Sequence, residues 1–261
     1  MRLIDLTMPL FEGMGMQNCY PQERSFVLER MAPDYNPNLI SYTMFCEPGT
    51  RIVLPLLGGI NPNVNLETVE LTDIMFRDAV IVDIPKEAGQ GLTAEEIENA
   101  CSKADYRQGD ALIIRTGWGT VERLEQLGDD YQWQSPNYPD AACEKLREIM
   151  TAKKSDIFGY DTASMSDYAH VKPGWEALGR PKNWPSPEAK EFLKKMAEER
   201  KKNPPPPEGR GPTRIYKAGI TLLGGLVNVA SISKERVKLI ALPLKIRGEA
   251  MAPVRVVAIE E

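Results

Sequence analysis

The chain has 261 residues, 42% hydrophobic and 26% charged, which is the composition of a globular protein able to bury a sizeable core. Its 37 acids and 32 bases leave a net charge of −5, which argues against a general nucleic-acid binder. No stretch approaches the roughly 20 apolar residues of a membrane span, and the opening MRLIDLTMPLFEG does not read as a secretory signal, so a cytoplasmic protein is expected.

RLIDLT (2–7) alternates and breaks at Pro9, which suits a short strand. LISYTMFC (39–46) is rich in strand formers and runs into CEPGTRIVLPLL (46–57), where a Gly-Thr pair sits among β-branched residues and prolines. DAVIVDIP (78–85) is a continuous apolar run ended by proline, the pattern of a strand buried on both faces. GLTAEEIENACSKA then reads as a helix capped by Thr93, with Glu96 completing a capping box. ALIIRTGW is a second buried strand; its RTGWGT continuation lacks the lysine spacing of a phosphate loop.

PDAACEKLREIMTAK (139–153) places Ala142, Leu146, Ile149 and Met150 on one helical face. SDIFGYDTAS follows as a strand entering a polar turn. The segment 173–214 stands apart. Ser186 and Pro187 start a charged helix whose apolar stripe is Phe192, Met196 and Leu193, and NPPPPEGRGP continues it as an extended spacer. This segment reads as a surface excursion; a lid or a subunit contact is the alternative. GITLLGGLVNV, VKLIALPLKI and APVRVVAIE supply further strands. The alternation of strands and helices predicts an α/β fold with layered elements and a mixed sheet core. A single domain over 1–261, interrupted by a helical and proline-rich insertion at about 173–214, is expected.

Residues able to do chemistry are few. The four cysteines (Cys19, Cys46, Cys101, Cys143) show no paired spacing, and reduced thiols are expected. His170 is the single histidine, so one chain cannot assemble a histidine-rich zinc site.

Several segments together resemble the cyclase and kynurenine-formamidase family of hydrolases. They are IDLTMPLFEGM, GLTAEEIENA before GDALIIRTGW, FGYDTAS, and LIALPLKIRGEAMAPVRVVAIE, in that order. The likeness spans nearly the whole chain outside 173–214. It implies a swivelling β/β/α-type fold and a homodimer or homotetramer. The family's metal loop reads His-x-Gly-Thr-His-x-Asp-x-Pro-x-His. Here Gly49, Thr50 and Pro55 match, while Glu47, Arg51 and Leu57 stand at the histidine positions and Val53 at the aspartate. A later metal-binding glutamate falls on Gly224 of GGLVN; Asn228 matches, and Gly225 replaces the first asparagine. His170 is the counterpart offered for a histidine after the Gly-x-Asp turn.

The resemblance thus places its departures where metal would bind, and the expectation is a site with no metal and no cofactor. Alternation along an extended strand puts Glu47, Gly49, Arg51 and Val53 on one face. Arg51 then supplies a fixed positive charge for a substrate anion or a developing oxyanion. The expected catalytic residues are Glu47, Arg51, His170 and Asp161, the histidine as the base suited to neutral pH. Arg51, Thr50, Asn228 and Tyr20 are the expected substrate contacts. Cys46 has no base beside it to hold a thiolate, and Cys19 is an outlying candidate. The expected function is a hydrolase or lyase acting on a small anionic amide, lactone or carbonyl compound. The alternatives are a non-catalytic binding or scaffold relative, and a metal-dependent hydrolase with ligands rebuilt from Glu47, Asp161, His170 and cysteines. A small-molecule substrate is the expected partner, with no nucleic acid and no membrane.

Overall fold

The structure is a computed structural model that describes residues 1–11, 14, 26–30, 40–44, 46–128, 130–166, 177, 187–202, 204, 206, 207 and 209–261. The β-branched and apolar runs form strands β1 (Arg2–Asp5), β2 (Phe26–Arg30), β3 (Ile40–Met44), β4 (Arg51–Val53), β5 (Arg77–Asp83), β6 (Ala111–Arg115), β7 (Ile157–Tyr160), β8 (Thr221–Gly224), β9 (Arg236–Pro243) and β10 (Met251–Glu260). The helices are α1 (Leu71–Ile74), α2 (Ala94–Lys103), α3 (Val121–Leu127), α4 (Asp130–Trp133), α5 (Asp140–Lys153), α6 (Pro187–Lys202) and α7 (Pro212–Lys217).

Seven strands close on themselves in the order β4-β8-β7-β6-β5-β9-β10, with β10 returning to β4. β5, β6, β7 and β8 run parallel; the other pairings are antiparallel. The mixed α/β architecture expected from the sequence is therefore what the chain forms. β10 closes the ring because its ten residues serve three neighbours. Met251–Pro253 pair with β4, Val257–Glu260 with β1, and Val254–Ile259 with β9. β2 and β3 pair separately as a hairpin.

Strand alternation divides the apolar side chains between two layers. Ile52, Ala79, Ile113, Leu223, Leu239, Val254 and Ala258 fill the barrel interior. Val80, Leu112, Phe158, Tyr160 and Leu222 face outward, beneath α2, α5 and α7. Burial on both faces explains why β5 and β6 read as unbroken apolar runs rather than alternating ones.

α2 carries the expected capping box: the Glu96 backbone N–H donates to Thr93 Oγ1 at 3.1 Å, and the Thr93 N–H donates to Glu96 Oε2 at 2.8 Å. α5 buries Ala142, Leu146 and Met150 together with Cys143, and Ile149 packs at the margin. α6 departs from its expected stripe. Phe192 is buried, Met196 is half-buried, and Leu193 is 49% exposed, so the buried line is one residue narrower than the sequence suggested. No helix of the described residues is long and apolar enough to cross a membrane.

Candidate active site

The segment 46–53 is not one extended strand. Gly49 adopts a left-handed backbone (φ 64°) and turns the chain, so regular pairing begins only at Arg51. The alternation expected for Glu47, Gly49, Arg51 and Val53 is broken at that turn. Thr50 is buried beside it. Its hydroxyl accepts from the Met8 N–H at 2.8 Å and donates to the Gly225 carbonyl at 2.7 Å. These bonds tie the β1 extension, the turn and the end of β8 together, so Thr50 holds the loop in place.

Arg51 is 3% exposed and stands opposite Gly224 across the β4–β8 pairing. Its guanidinium donates to the carbonyls of Ala163 at 2.9 Å and Gly49 at 3.3 Å. Its charge also acts on the buried Tyr160 hydroxyl, whose pKa burial raises and the Arg51 charge lowers. Glu47 is half-buried on the other side of the turn. Burial raises its carboxyl pKa, and the positive charge of Arg51 pulls it back down. A guanidinium, a carboxyl and a phenol therefore share one electrostatic environment where the Gly-Thr turn meets β7 and β8.

Asp161 lies at the end of β7, 2% exposed. Its carboxylate accepts from the Thr116 N–H at 2.9 Å, the Thr116 hydroxyl at 2.6 Å and the Gly117 N–H at 2.9 Å. Burial raises its pKa despite these donors. The geometry makes Asp161 a clasp on the loop after β6. Thr162 and Ser164 continue the turn, the Thr162 hydroxyl donating to the Ser164 carbonyl at 2.8 Å. Next to them, Met8, Met14, Trp118, Tyr131 and Val227 form an apolar cluster that includes Ala163 at its edge. Among the described residues the buried Tyr131 hydroxyl has no hydrogen-bond partner, and both Asp161 and Arg51 act on it electrostatically.

Asn228 is exposed in a left-handed conformation (φ 57°), and its amide donates to the Asp5 carbonyl at 3.1 Å. His170, Tyr20 and Cys19 fall outside the described residues. Cys46 is exposed, and partial burial together with the nearby Glu47 charge raises its thiol pKa, the wrong direction for a ready nucleophile. Tyr160 escaped the sequence reading. Strand alternation in IFGY puts it on the outer face with Phe158, and a glycine on the neighbouring strand was the available sign that a large ring needed room there.

A cavity of about 380 Å³ borders this region, with Met8, Leu10, Tyr42, Met44, Thr50 and Val254 in its wall. Arg51 does not line it, although Thr50 does.

A family model described as Cyclase matches residues 4–167, more than half of the chain. The chain belongs to the cyclase family. Its cyclase fold is shared with isatin hydrolase A from Labrenzia aggregata bound to benzyl benzoate, at 21% identity over 100% of this chain and 94% of that one, with a TM-score of 0.68. Isatin hydrolase A from Ralstonia solanacearum is 18% identical over 99% and 92% of the two chains, TM-score 0.66. A predicted metal-dependent hydrolase from Bacillus stearothermophilus is 18% identical over 98% and 97%, TM-score 0.62. No curated protein matches the chain.

At positions that the family resemblance assigns to metal ligands, Arg51, Val53, Leu57 and Gly224 are not metal ligands. Arg51 brings a positive charge to one ligand position, Val53 packs in an apolar cluster, Leu57 is 50% exposed in the turn after β4, and Gly224 has no side chain. Among the described residues, no group of three His, Cys, Asp or Glu side chains could hold a metal ion.

Proposed function

We propose that this cyclase is a hydrolase or lyase acting on a small anionic amide, lactone or carbonyl compound, with Arg51 in the role that a metal ion plays in its family. The observation that carries the reading is Arg51 itself: a guanidinium 3% exposed, held by two backbone carbonyls, opposite a residue that has no side chain. Burying a charge is costly unless it is bonded, so a retained buried arginine at this turn needs a reason. A fixed cation in a region of low dielectric stabilises a carboxylate or a developing oxyanion more strongly than it would in water.

Glu47 is the proton carrier of this reading. Its raised pKa keeps a protonated fraction available at higher pH than an exposed glutamate would have. Attack by water on the carbonyl carbon would hand a proton to Glu47 carboxylate, and the leaving nitrogen or oxygen would take it back. His170 remains a second proposed proton carrier, and Tyr20 a proposed substrate contact. The structural likeness to isatin hydrolases and to a metal-dependent hydrolase supports a hydrolytic reaction over a purely scaffolding role. A cytoplasmic homodimer or homotetramer is proposed on the family resemblance.

The test is turnover of a panel of cyclic amides and lactones, followed by proton NMR on the wild-type chain and Arg51→Met. Loss of about 100-fold or more in turnover supports the reading, as expected for a removed oxyanion donor. Unchanged turnover in Arg51→Met, or activity that disappears with chelator and returns with manganese or zinc, would overturn it.

A further inference from the structure

We infer that Tyr160 is the positioning residue of this site, and that Arg51, Tyr160 and Gly224 form one interlocked unit that accepts anions and refuses divalent cations. The inference rests on the reading of Arg51 as the fixed cation and adds the residue that makes it so.

Gly224 explains itself only through Tyr160. Its backbone is not in the left-handed region, so any residue could adopt its conformation. Space is what it lacks. A Cβ built on Gly224 would meet the Tyr160 ring carbon Cζ at 2.5 Å, with the hydroxyl oxygen nearer still. Gly225, the next residue, differs: its φ of 68° already favours glycine, and a Cβ there would meet the Gly49 carbonyl oxygen at 2.8 Å before Arg51 Nη1 at 3.3 Å. Two successive glycines therefore clear room, the first for the phenol and the second for the Gly49 carbonyl that holds the guanidinium.

The phenol is fixed in turn. Tyr160 is 3% exposed, and its ring packs against Phe158 at 5.7 Å and Tyr138 at 6.1 Å between centroids. Arg51 is held by the Gly49 and Ala163 carbonyls, and it stands opposite Gly224, the residue whose side-chain space the Tyr160 phenol fills. A carboxylate at 224 and a tyrosine at 160 exclude each other. The chain cannot recover a metal-ligating side chain at 224 while the phenol stays, and the guanidinium beside it repels a divalent cation. The same unit presents a charge whose direction is locked, which suits a carboxylate or oxyanion.

The experiment uses the full chain with Tyr160→Phe, Tyr160→Ala, Gly224→Ala and the double variant Tyr160→Ala with Gly224→Ala. Tyr160→Phe keeps the ring and removes the hydroxyl. Hydrogen exchange of the Arg51 guanidinium, read by arginine-selective ¹⁵N NMR, should speed up about tenfold, the worth of one hydrogen bond, while melting temperature stays within a few degrees. A merely packing role would leave that exchange unchanged, and this result would overturn the inference. Gly224→Ala should lower the melting temperature in the wild-type background and have little further effect beside Tyr160→Ala. Additive losses would also overturn it. Zinc and manganese titrations of the wild-type chain separate the two levels. Stoichiometric metal binding that Arg51→Ala alters overturns the cation reading itself; no metal binding, with unchanged exchange and additive losses, overturns only the role of Tyr160.

Discussion

Arg51 faces Gly224 across the β4–β8 pairing, a long charged side chain opposite none. The guanidinium is held by the carbonyls of Gly49 and Ala163, both close to the turn it stabilises. Replacing it with methionine keeps much of the volume and leaves those acceptors without their donor. Arg51→Met is expected to cost about 3 kcal/mol in urea unfolding. Arg51→Lys keeps the charge but not the planar fork, and should lose about 2 kcal/mol. Stability equal to wild type in both would mean that the arginine is not structurally anchored.

Glu47 gives a pH dependence of definite sign. Burial raises its folded-state pKa above the ordinary value of 4.5, with Arg51 opposing. A raised carboxyl contributes stability that is fully present below about 4.5 and is lost as pH rises through the folded-state pKa. Gln at this position does not titrate. The melting temperature of Glu47→Gln relative to wild type should therefore be lowest near pH 4 and climb towards pH 7. A difference that is flat across that window would show that the carboxyl titrates as an exposed group.

Asp161 was expected to act in catalysis, and the structure engages its carboxylate with the Thr116 N–H, the Thr116 hydroxyl and the Gly117 N–H. Asparagine is nearly isosteric but turns one acceptor oxygen into an NH₂ that would face donors. Asp161→Asn should cost about 3 kcal/mol, since buried polar groups lose partners. Circular dichroism melts measure this directly. If the variant melts like wild type and loses only turnover, Asp161 is chemical rather than structural.

These sites differ in how far the sequence revealed them. The buried parallel strands were legible because apolar runs such as AVIVDIP and ALIIR leave few alternatives, and α2 because Thr93 and Glu96 form a local capping box. Arg51 was legible as a departure from a familiar loop. Its surroundings were not. Tyr160 and Gly224 lie 64 residues apart in a chain of 261, and only the closure of β7 onto β8 brings them together. The break at Gly49 was hidden for a different reason: one left-handed residue cancels the two-residue alternation on which the face assignment rested. Leu193 shows the same limit in α6, where a three-residue apolar set was expected and only Phe192 is fully buried.

Glu144 makes an acid-side prediction far from Arg51. Hydrogen bonds from Arg147, and then from Arg214, lower its pKa to about 2 from 4.5. The bonds are Arg147 Nε to Oε2 at 3.0 Å, Arg147 Nη2 to Oε1 at 2.5 Å and Arg214 Nη1 to Oε2 at 3.0 Å. A lowered carboxyl contributes stability present above its unfolded value and lost as pH falls towards 2. Glu144→Gln should shrink the loss of melting temperature between pH 5 and pH 3, with its largest deficit near neutrality. An identical acid limb in both proteins would mean that solvent screening removes the effect of this partly exposed pair.

The helix α6 supplies the last test, because Phe192 is its one fully buried side chain among the described residues. Phe192 is 1% exposed, while Leu193 beside it is 49% exposed and the neighbouring Glu191, Lys194 and Lys195 are exposed. A charged helix of 16 residues with so narrow an apolar line is marginal by itself in water. Phe192→Ala removes the buried anchor and should cost about 3 kcal/mol. Because the described side chains around it are mostly exposed, that cost should appear as local opening rather than global unfolding. Limited trypsin digestion is expected to cut within 187–202 at least tenfold faster in the variant, a ratio that corresponds to about 1.4 kcal/mol or more of local stability. Unchanged cleavage would show that the helix is held by something other than Phe192.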